Sequence, residues 1–199
     1  FLTYFPLYKI EIGTYYLSPE DYGIVSMVSI LVAFMGFIYN PGMLSSTMRL
    51  YHSTENEDER KLLIGSAHNF FLIVPVIFLA LSVFIGPIIF PKIFSNFEFY
   101  PYGFLGILLA SLIQPKRIWV TLMTLKYKLH ITAFYSVIAV VIGLIITIVC
   151  VVFFKLGAMG KVIGMFAPAI FLFFVSLYHV KKYTNGVWSI ENIKKQLLF

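Results

Sequence analysis

The sequence predicts an all-α membrane protein, a bundle of helices that crosses the bilayer several times. Three observations predict this fold class: 60% of the 199 residues are hydrophobic, 12% are charged, and the mean hydropathy is +0.90. Soluble domains are roughly 45–50% apolar and about 25% charged. The same composition excludes a disordered chain, a nucleic-acid-binding domain and a disulfide scaffold.

Uncharged apolar stretches divide the chain into predicted spans, because a charge at the bilayer centre costs at least about 2.5–3.5 kcal/mol. The predicted spans are residues 1–17, 22–48, 62–90, 101–123, 129–154 and 162–180. A helix needs about 20 apolar residues to cross the hydrocarbon core. The first span begins at Phe1, so we interpret it as the end of a truncated helix. Residues 1–180 are therefore expected to form one six-span lobe.

Residues 181–199 are expected to form a cytoplasmic tail that leads to a missing second lobe. Ile190, Ile193 and Leu197 fall on one face of a helix, while Lys194 and Lys195 fall elsewhere. This pattern predicts an amphipathic helix that lies on the membrane surface.

Helix-start signals place two of the span boundaries. The segment SPED at 18–21 offers an N-cap serine, a proline suited to the first turn, and two first-turn acids. Thr54 with Glu57 is predicted to cap the next helix. The segment 40–42 (Asn-Pro-Gly) is predicted to bend or end the second span.

Prolines are predicted to interrupt several spans. Pro87 and Pro91 are expected to close the third span, and Pro168 to break the sixth. Pro41 and Pro115 also fall within or near span ends. Broken membrane helices are typical of transporters, where they form substrate sites and hinges.

Basic residues are unequally divided between the two ends of the predicted spans. Eleven of the 15 basic residues lie on one side. They are in the tail, around the connection of the second span to the third, or around the connection of the fourth span to the fifth. The other four are Lys9, Lys92, Lys155 and Lys161. The positive-inside rule places the larger group in the cytoplasm.

No pattern of catalytic or metal-binding residues occurs in the sequence. The four histidines are scattered, Cys150 is the single cysteine, and the acids lie in loops except for Glu11. Metal sites and general acid–base catalysis need such groups at close spacing. We therefore expect no enzyme activity, no metal and no cofactor.

Charges at or inside the membrane are the candidate site residues. Lys9 lies in the first span, where it is either interfacial or faces a polar cavity. Arg49 ends the second span, either as an anchor or as a cation for a phosphate, which a guanidinium binds with two hydrogen bonds. Lys116 and Arg117 lie one to two turns inside the fourth span, where they snorkel outward or face a wet cavity.

Four segments, in order along the chain, resemble motifs of bacterial polysaccharide exporters. They are YLSPEDYGI at 16–24, PGMLSSTMRLY at 41–51 with RKLL at 60–63, LGAMG at 156–160 and IKKQLLF at 193–199. These match the start of the second helix, the connection to the third, the turn before the sixth and the approach to the seventh. Over nearly its whole length, the chain resembles the N-terminal half of Wzx-like lipid-linked oligosaccharide flippases of the MOP exporter superfamily.

The resemblance implies a fold of two six-helix lobes around a central cavity, of which this chain would supply one MATE/MOP-like lobe. The implied activity is to flip undecaprenyl-diphosphate-linked oligosaccharide across the bacterial cytoplasmic (inner) membrane. That step serves O-antigen, capsule or exopolysaccharide synthesis and makes no bond. The implied partners are membrane lipids, the lipid-linked oligosaccharide and the C-terminal lobe, but not nucleic acid. Arg49 is the first residue of this chain to which the resemblance assigns a substrate-binding role.

Three alternative functions stay open on the sequence. A MATE-like cation-coupled multidrug exporter needs an acid embedded in the first lobe, for which only Glu11 qualifies. A membrane-embedded polysaccharide polymerase or ligase needs a large outward loop with arginine or histidine, and the predicted outward loops are short. A non-transporting assembly factor is compatible with the composition as well.

Overall fold

Helices form nearly all of the computed structural model, which describes residues 17–93 and 99–198. The helices are α1 (Pro19–Ile38), α2 (Met43–Ser53), α3 (Glu57–Ile93), α4 (Phe104–Leu125), α5 (Leu129–Ile148), α6 (Gly157–Thr184) and α7 (Ile190–Leu197). A segment with a kink at Tyr100 (φ −100°, ψ 137°) precedes α4 at Phe99–Gly103, and a π-helical turn follows α5 at Val149–Phe153. The described residues contain no strand, which confirms the all-α prediction for them.

Five helical segments are long and apolar enough to cross a membrane. They are Pro19–Ile38, Glu57–Lys92, Phe99–Leu125, Leu129–Phe153 and Gly157–Thr184. Large apolar side chains on their outer faces are exposed, as lipid-facing residues would be: Phe37, Phe84 and Phe134 are examples. These segments correspond to the second to sixth predicted spans. The first predicted span, with Lys9 and Glu11, lies outside the described residues.

The start of α1 follows the prediction from the sequence. The Ser18 side chain accepts a hydrogen bond from the Asp21 backbone N–H (3.1 Å), and the Asp21 carboxylate accepts one from the Ser18 N–H (3.0 Å). This reciprocal capping box satisfies two backbone donors that a helix start leaves unpaired. The other oxygen of Asp21 accepts a 2.8 Å hydrogen bond from the N–H of Ala158 in the first turn of α6.

The break between α1 and α2 is also confirmed. Gly42 has φ of +78°, a left-handed conformation that glycine adopts at little cost. The side chain of Asn40 accepts a hydrogen bond from the N–H of Leu44 (3.2 Å), which satisfies one donor in the first turn of α2. The predicted second span therefore divides into a long helix and a separate short one.

The predicted cap by Thr54 is wrong. Its hydroxyl donates to the carbonyl of Leu50 (2.8 Å) within the end of α2. The side chain of Asn56 instead accepts from the N–H of Asp58 (2.9 Å) and caps α3. Both residue types make caps, and the local chain direction decides which side chain reaches the free N–H groups.

The predicted interruption by prolines is mostly wrong. Pro75, Pro87 and Pro91 lie inside α3, which continues to Ile93. Pro115 lies inside α4 and Pro168 inside α6, with both helices continuing past them. Membrane helices tolerate proline because neighbouring helices and polar side chains satisfy the freed backbone groups. Pro41 lies at a true break, and Pro101 follows the non-helical Tyr100 before α4.

Helix α4 lies at the centre of the described bundle. Ile118, Trp119 and Leu122 of α4 are completely buried, and they pack in one cluster with Phe71 of α3 and Val180 of α6. Because α4 is central, the residues that are close to Trp119 in the sequence lie between several other helices.

Helices α5 and α6 approach each other closely through two glycines. A Cβ atom added to Gly143 would lie 3.1 Å from Cγ of Pro168, and one added to Gly164 would overlap the hydroxyl of Thr147. Small residues at such crossings let membrane helices pack at short range. This close packing forms the α5–α6 wall of the site described below.

Polar contacts join α3, α4 and α6 at the end of the bundle opposite the contact between Asp21 and Ala158. The Tyr183 hydroxyl near the end of α6 donates to the carboxylate of Glu57 at the start of α3 (2.9 Å). The Lys126 amine, in the α4–α5 connection, lies 3.6 Å from the centre of the Tyr183 ring. The starts of α1 and α6 meet at the other end through Asp21. The helices from α3 onward therefore alternate in direction, as the predicted spans require.

Helix α7 packs against the bundle through part of its surface. The Gln196 side chain donates to the carbonyl of Leu63 (3.0 Å), and the Ser189 N–H donates to the hydroxyl of Ser66 (2.9 Å). Ile190 and Leu197 remain exposed. The structure thus has a helix at these residues, whereas its predicted amphipathic role on a membrane surface stays a prediction.

Candidate functional site

A polar cavity lies among α1, α4, α5 and α6, within their apolar lengths. Its volume is about 410 Å³. The polar side chains among its lining residues are Ser29, Lys116, Ser136, Thr147 and Lys161. No carboxylate lines the cavity within the described part of the chain. The charged side chains among the described lining residues are thus two lysines.

Helical periodicity explains how α5 and α6 line this cavity. On α5 the lining residues form one stripe, from Ser136 through Gly143 to Thr147; on α6 they form another, from Lys161 through Gly164 to Pro168. Residues three, four and seven apart share one face of an α-helix. Each helix thus turns one face toward the cavity, on which small and polar residues lie among bulky apolar ones such as Leu144 and Met165.

Lys116 is the predicted site residue that lines the cavity. It lies nine residues before Leu125, which places its Cα roughly 13 Å from that end of α4. Its side chain is half-buried and faces the cavity. Lys116 thus lies at the cavity, and the choice between snorkelling and facing a wet cavity stays a prediction.

Arg117 points in a different direction from Lys116. Its guanidinium lies against α1, so close that a Cβ atom on Gly36 would come within 2.7 Å of Nη2. Gly36 is in the last turn of α1, which contains no basic residue of its own. A cation near a helix C-terminus interacts favourably with the helix dipole. This placement supplies a structural role for Arg117.

Arg49 does not line the cavity in the described structure. Arg49 is exposed on α2 and is not among the lining residues. Lys9 lies outside the described residues. Of the four predicted site residues, the described structure therefore places one, Lys116, in this cavity.

Lys161 was not predicted as a site residue. In the sequence it follows a glycine-rich turn and was assigned to the end of the bundle opposite Arg49. It lies four residues inside α6, roughly 6 Å from Gly157, and lines the same cavity as Lys116. The sequence does contain one signal for this position: Lys161 lies three residues before Gly164 and seven before Pro168, so the three residues share one face of a helix.

His68 and His179 belong to the hydrophobic packing, whereas His52 and His130 are exposed. The His179 ring stacks on Trp119 with centroids 5.7 Å apart and meets Tyr135 edge-on at 5.5 Å. His68 is buried in α3. The part of the chain that the structure describes holds no group of three or more His, Cys, Asp or Glu that could bind a metal ion.

Charges at the Tyr183 end of the bundle form a separate network. Arg60 lies 3.7 Å from the Glu57 carboxylate, and its guanidinium lies 4.9 Å from the centre of the Tyr51 ring. Burial lowers the pKa of the Lys126 amine, and the nearby Glu57 opposes this shift. These contacts tie helix ends together and lie apart from the cavity.

The cavity offers two amines and three hydroxyls, a chemistry that binds an anionic group. Its described lining contains no histidine, cysteine or carboxylate to act as a general base beside those hydroxyls. Comparison with protein-family models, with curated proteins and with solved structures found no match for this chain.

Proposed function

We propose that the chain forms one lobe of a Wzx-like flippase that moves an undecaprenyl-diphosphate-linked oligosaccharide across the bacterial cytoplasmic membrane. In this proposal the lobe has six spans, and a second lobe completes the passage for the glycan. No covalent bond changes, so the protein contributes binding and conformational change.

The observation that carries the proposal is the position of Lys116 in a cavity at membrane depth. A cation there is costly unless it faces water or an anion, so ionisable residues inside spans mark substrate pathways. The diphosphate of a lipid-linked glycan supplies such an anion. At about 410 Å³ the cavity is near the lower end of ligand pockets, roughly 300–1,000 Å³, and fits a head group better than an oligosaccharide.

The lining of the cavity disfavours the cation-coupled exporter. A proton- or sodium-coupled site needs an embedded carboxylate, and the described lining residues contain two lysines instead. The positive charge of Lys116 repels a second cation. The cavity chemistry thus favours an anionic substrate.

The test is glycan export in a bacterial strain that lacks its own flippase and carries this chain together with the second lobe that the proposal requires. Lys116→Gln should reduce export roughly 10- to 100-fold, the effect of losing one charged hydrogen bond. Lys182→Gln is the matched control, because Lys182 is exposed near the end of α6. Equal export by the two variants at equal protein levels would remove the cavity from the transport pathway.

The family resemblance separately assigns a role to Arg49. Its exposed position on α2 suits an initial phosphate contact at the cytoplasmic entrance. Arg49→Gln should reduce export in the same assay, whereas Lys195→Gln, a change on exposed α7, should not. Unchanged export by Arg49→Gln would leave Arg49 as a helix-end anchor.

A further inference from the structure

A second cavity lies between α2, α3 and α7, at the end of the bundle where Tyr183 contacts Glu57. Its volume is about 700 Å³, and ligand pockets measure roughly 300–1,000 Å³. The charged side chains that line this cavity, here called the α7 cleft, are two carboxylates and two amines: Glu59, Glu191, Lys194 and Lys195. The formal charges of these four side chains cancel, so the α7 cleft suits a ligand that carries both signs of charge.

The four charged side chains of the α7 cleft do not neutralise one another by direct contact. Within the described part of the chain none of them forms an ion pair, whereas the neighbouring Lys61 pairs with Asp58 at 2.8 Å. A carboxylate only accepts hydrogen bonds and an ammonium group only donates them. All four groups therefore keep hydrogen-bonding capacity for a ligand.

Helix α7 supplies one wall of the α7 cleft from a single face. Glu191 and the residues three, four and seven positions after it line the cleft, and this spacing places them on one side of a helix. Gln196 points away from that face, is buried, and donates to the carbonyl of Leu63 at 3.0 Å. The contact between Gln196 and Leu63 therefore holds the charged face of α7 beside α3.

The α7 cleft crosses the boundary between the charged and the apolar parts of α3. Glu59 belongs to the five charged residues 57–61 at the start of the helix, and Leu62 and Leu63 begin its apolar run. These three side chains all line the cleft. In a helix that crosses a membrane, such a boundary lies at the layer of the lipid head groups. A lipid in the cleft therefore has charges beside its head group and leucines beside its first acyl carbons.

We propose that the α7 cleft binds the head group of a zwitterionic phospholipid, phosphatidylethanolamine. In this site the lipid ammonium group donates to the carboxylates of Glu59 and Glu191, and the lipid phosphate accepts from the amines of Lys194 and Lys195. The bound lipid bridges α7 to α3. The site goes beyond the proposed function and does not depend on it, because it lies outside the cavity that Lys116 lines.

Hydrogen bonding and charge separate phosphatidylethanolamine from other common phospholipids. Its ammonium group offers three N–H donors, and hydrogen bonds between charged groups are the strong ones. The trimethylammonium group of phosphatidylcholine carries the same charge but has no N–H. The head group of phosphatidylglycerol has no positive charge, so it would place an anion beside two carboxylates. The ethanolamine head group therefore matches both halves of the lining.

The test measures the binding of single lipids to the purified, delipidated 199-residue chain in detergent by native mass spectrometry. Dioleoylphosphatidylethanolamine is compared with phosphatidylglycerol and phosphatidylcholine that carry the same acyl chains. The first molecule of the ethanolamine lipid should bind roughly tenfold tighter than either of the others, the effect of one charged hydrogen bond.

Removal of the two carboxylates tests the ammonium half of the site. Glu59→Gln combined with Glu191→Gln should abolish the preference for the ethanolamine lipid over the choline lipid. Glu55→Gln is the matched control, because Glu55 is exposed at the same end of the bundle and does not line the α7 cleft. That control should keep the wild-type preference.

Removal of the two amines tests the phosphate half. Lys194→Gln combined with Lys195→Gln should weaken all three lipids roughly tenfold, because each of them carries a phosphate. Lys181→Gln is the control, since Lys181 is exposed near the same end and lies outside the cleft. Because the cleft is separate from the proposed glycan passage, Lys195→Gln should weaken the lipid here while glycan export stays unchanged.

Three results would overturn the lipid site. They are equal affinity of the wild type for the three lipids, tightest binding of phosphatidylglycerol, and a preference or affinity that survives loss of both carboxylates or both amines. Circular dichroism checks that each variant folds. If a double variant does not fold, Glu59→Lys decides, because this exposed change should reverse the order of the ethanolamine and glycerol lipids. An unchanged order in Glu59→Lys would also overturn the site.

Discussion

The carboxylate of Asp21 accepts a 2.8 Å hydrogen bond from the backbone N–H of Ala158, and this contact joins the first turns of α1 and α6. The same carboxylate closes the capping box of α1 with Ser18. A negative charge is favourable at a helix N-terminus because of the unpaired N–H groups there. The Asp21 side chain therefore stabilises the starts of both helices and holds these two starts together at one end of the bundle.

Asp21→Ala should lower the free energy of unfolding by about 1 kcal/mol, the usual effect of losing a helix cap. The loss combines the Ser18 cap with the contact to Ala158. Unfolding in mixed detergent, followed by circular dichroism, measures the change. Glu20→Ala is the control, since Glu20 is exposed and contributes only a first-turn charge, about 0.3 kcal/mol. Equal losses in the two variants would show that the Ala158 contact adds nothing.

Gly164→Ala should destabilise the chain by about 1–3 kcal/mol, the usual range for overpacking. The added methyl group would overlap the Thr147 side chain and lie 3.0 Å from its Cα, so α5 and α6 must separate. Gly23→Ala is a matched control in α1, where no atom lies within 4 Å of the new methyl. That control should be neutral or stabilising by up to about 1 kcal/mol, because alanine favours helix. Thermal unfolding of both variants in one detergent checks the difference, and equal midpoints would refute close α5–α6 packing.

The parts of the fold that local chemistry controls were predictable from the sequence. The capping box at Ser18 and the break at Gly42 depend on residues within four positions of each other, and both are present. The effect of Pro168 was not predictable in this way. Its consequence depends on Gly143 in a neighbouring helix, a contact that no local pattern shows.

The candidate site was predictable only in part, because it too depends on contacts between helices that no local sequence pattern shows. Lys116 interrupts an apolar span, and that alone marks it as unusual. Lys161 follows a turn, where a lysine is ordinarily solvated, and only the packing of α6 against α5 directs it to the cavity. Arg117 is adjacent to Lys116 but about 100° away around the helix, so the two side chains reach different partners.

Single-cysteine labelling checks the orientation of the bundle. In a Cys150→Ala background, Ser53→Cys lies at the α2 end and Glu20→Cys at the α1 start, and both positions are exposed. The positive-inside rule predicts that a membrane-impermeant maleimide added to intact spheroplasts labels Glu20→Cys and not Ser53→Cys. Permeabilised cells, in which both should react, provide the control. Labelling of both variants from outside would contradict the predicted topology.

Gly65→Ala should release the α7 tail without unfolding the long helices. Gly65 lies in α3 directly beneath the carbonyl oxygen of Val187, and a Cβ atom there would overlap that oxygen. Displacing Val187 also separates the Ser189 N–H from the Ser66 hydroxyl. Limited proteolysis of the chain in nanodiscs should therefore cut residues 185–189 faster in this variant.

The matched control for Gly65→Ala is again Gly23→Ala, which adds the same methyl group where nothing opposes it. Trp188 reports the same event spectroscopically, because it precedes α7 and is already 45% exposed. Its fluorescence should shift to the red if release moves it into water, and to the blue if release moves it into the lipid interface. Unchanged proteolysis together with unchanged fluorescence would show that α7 does not depend on the close approach at Gly65.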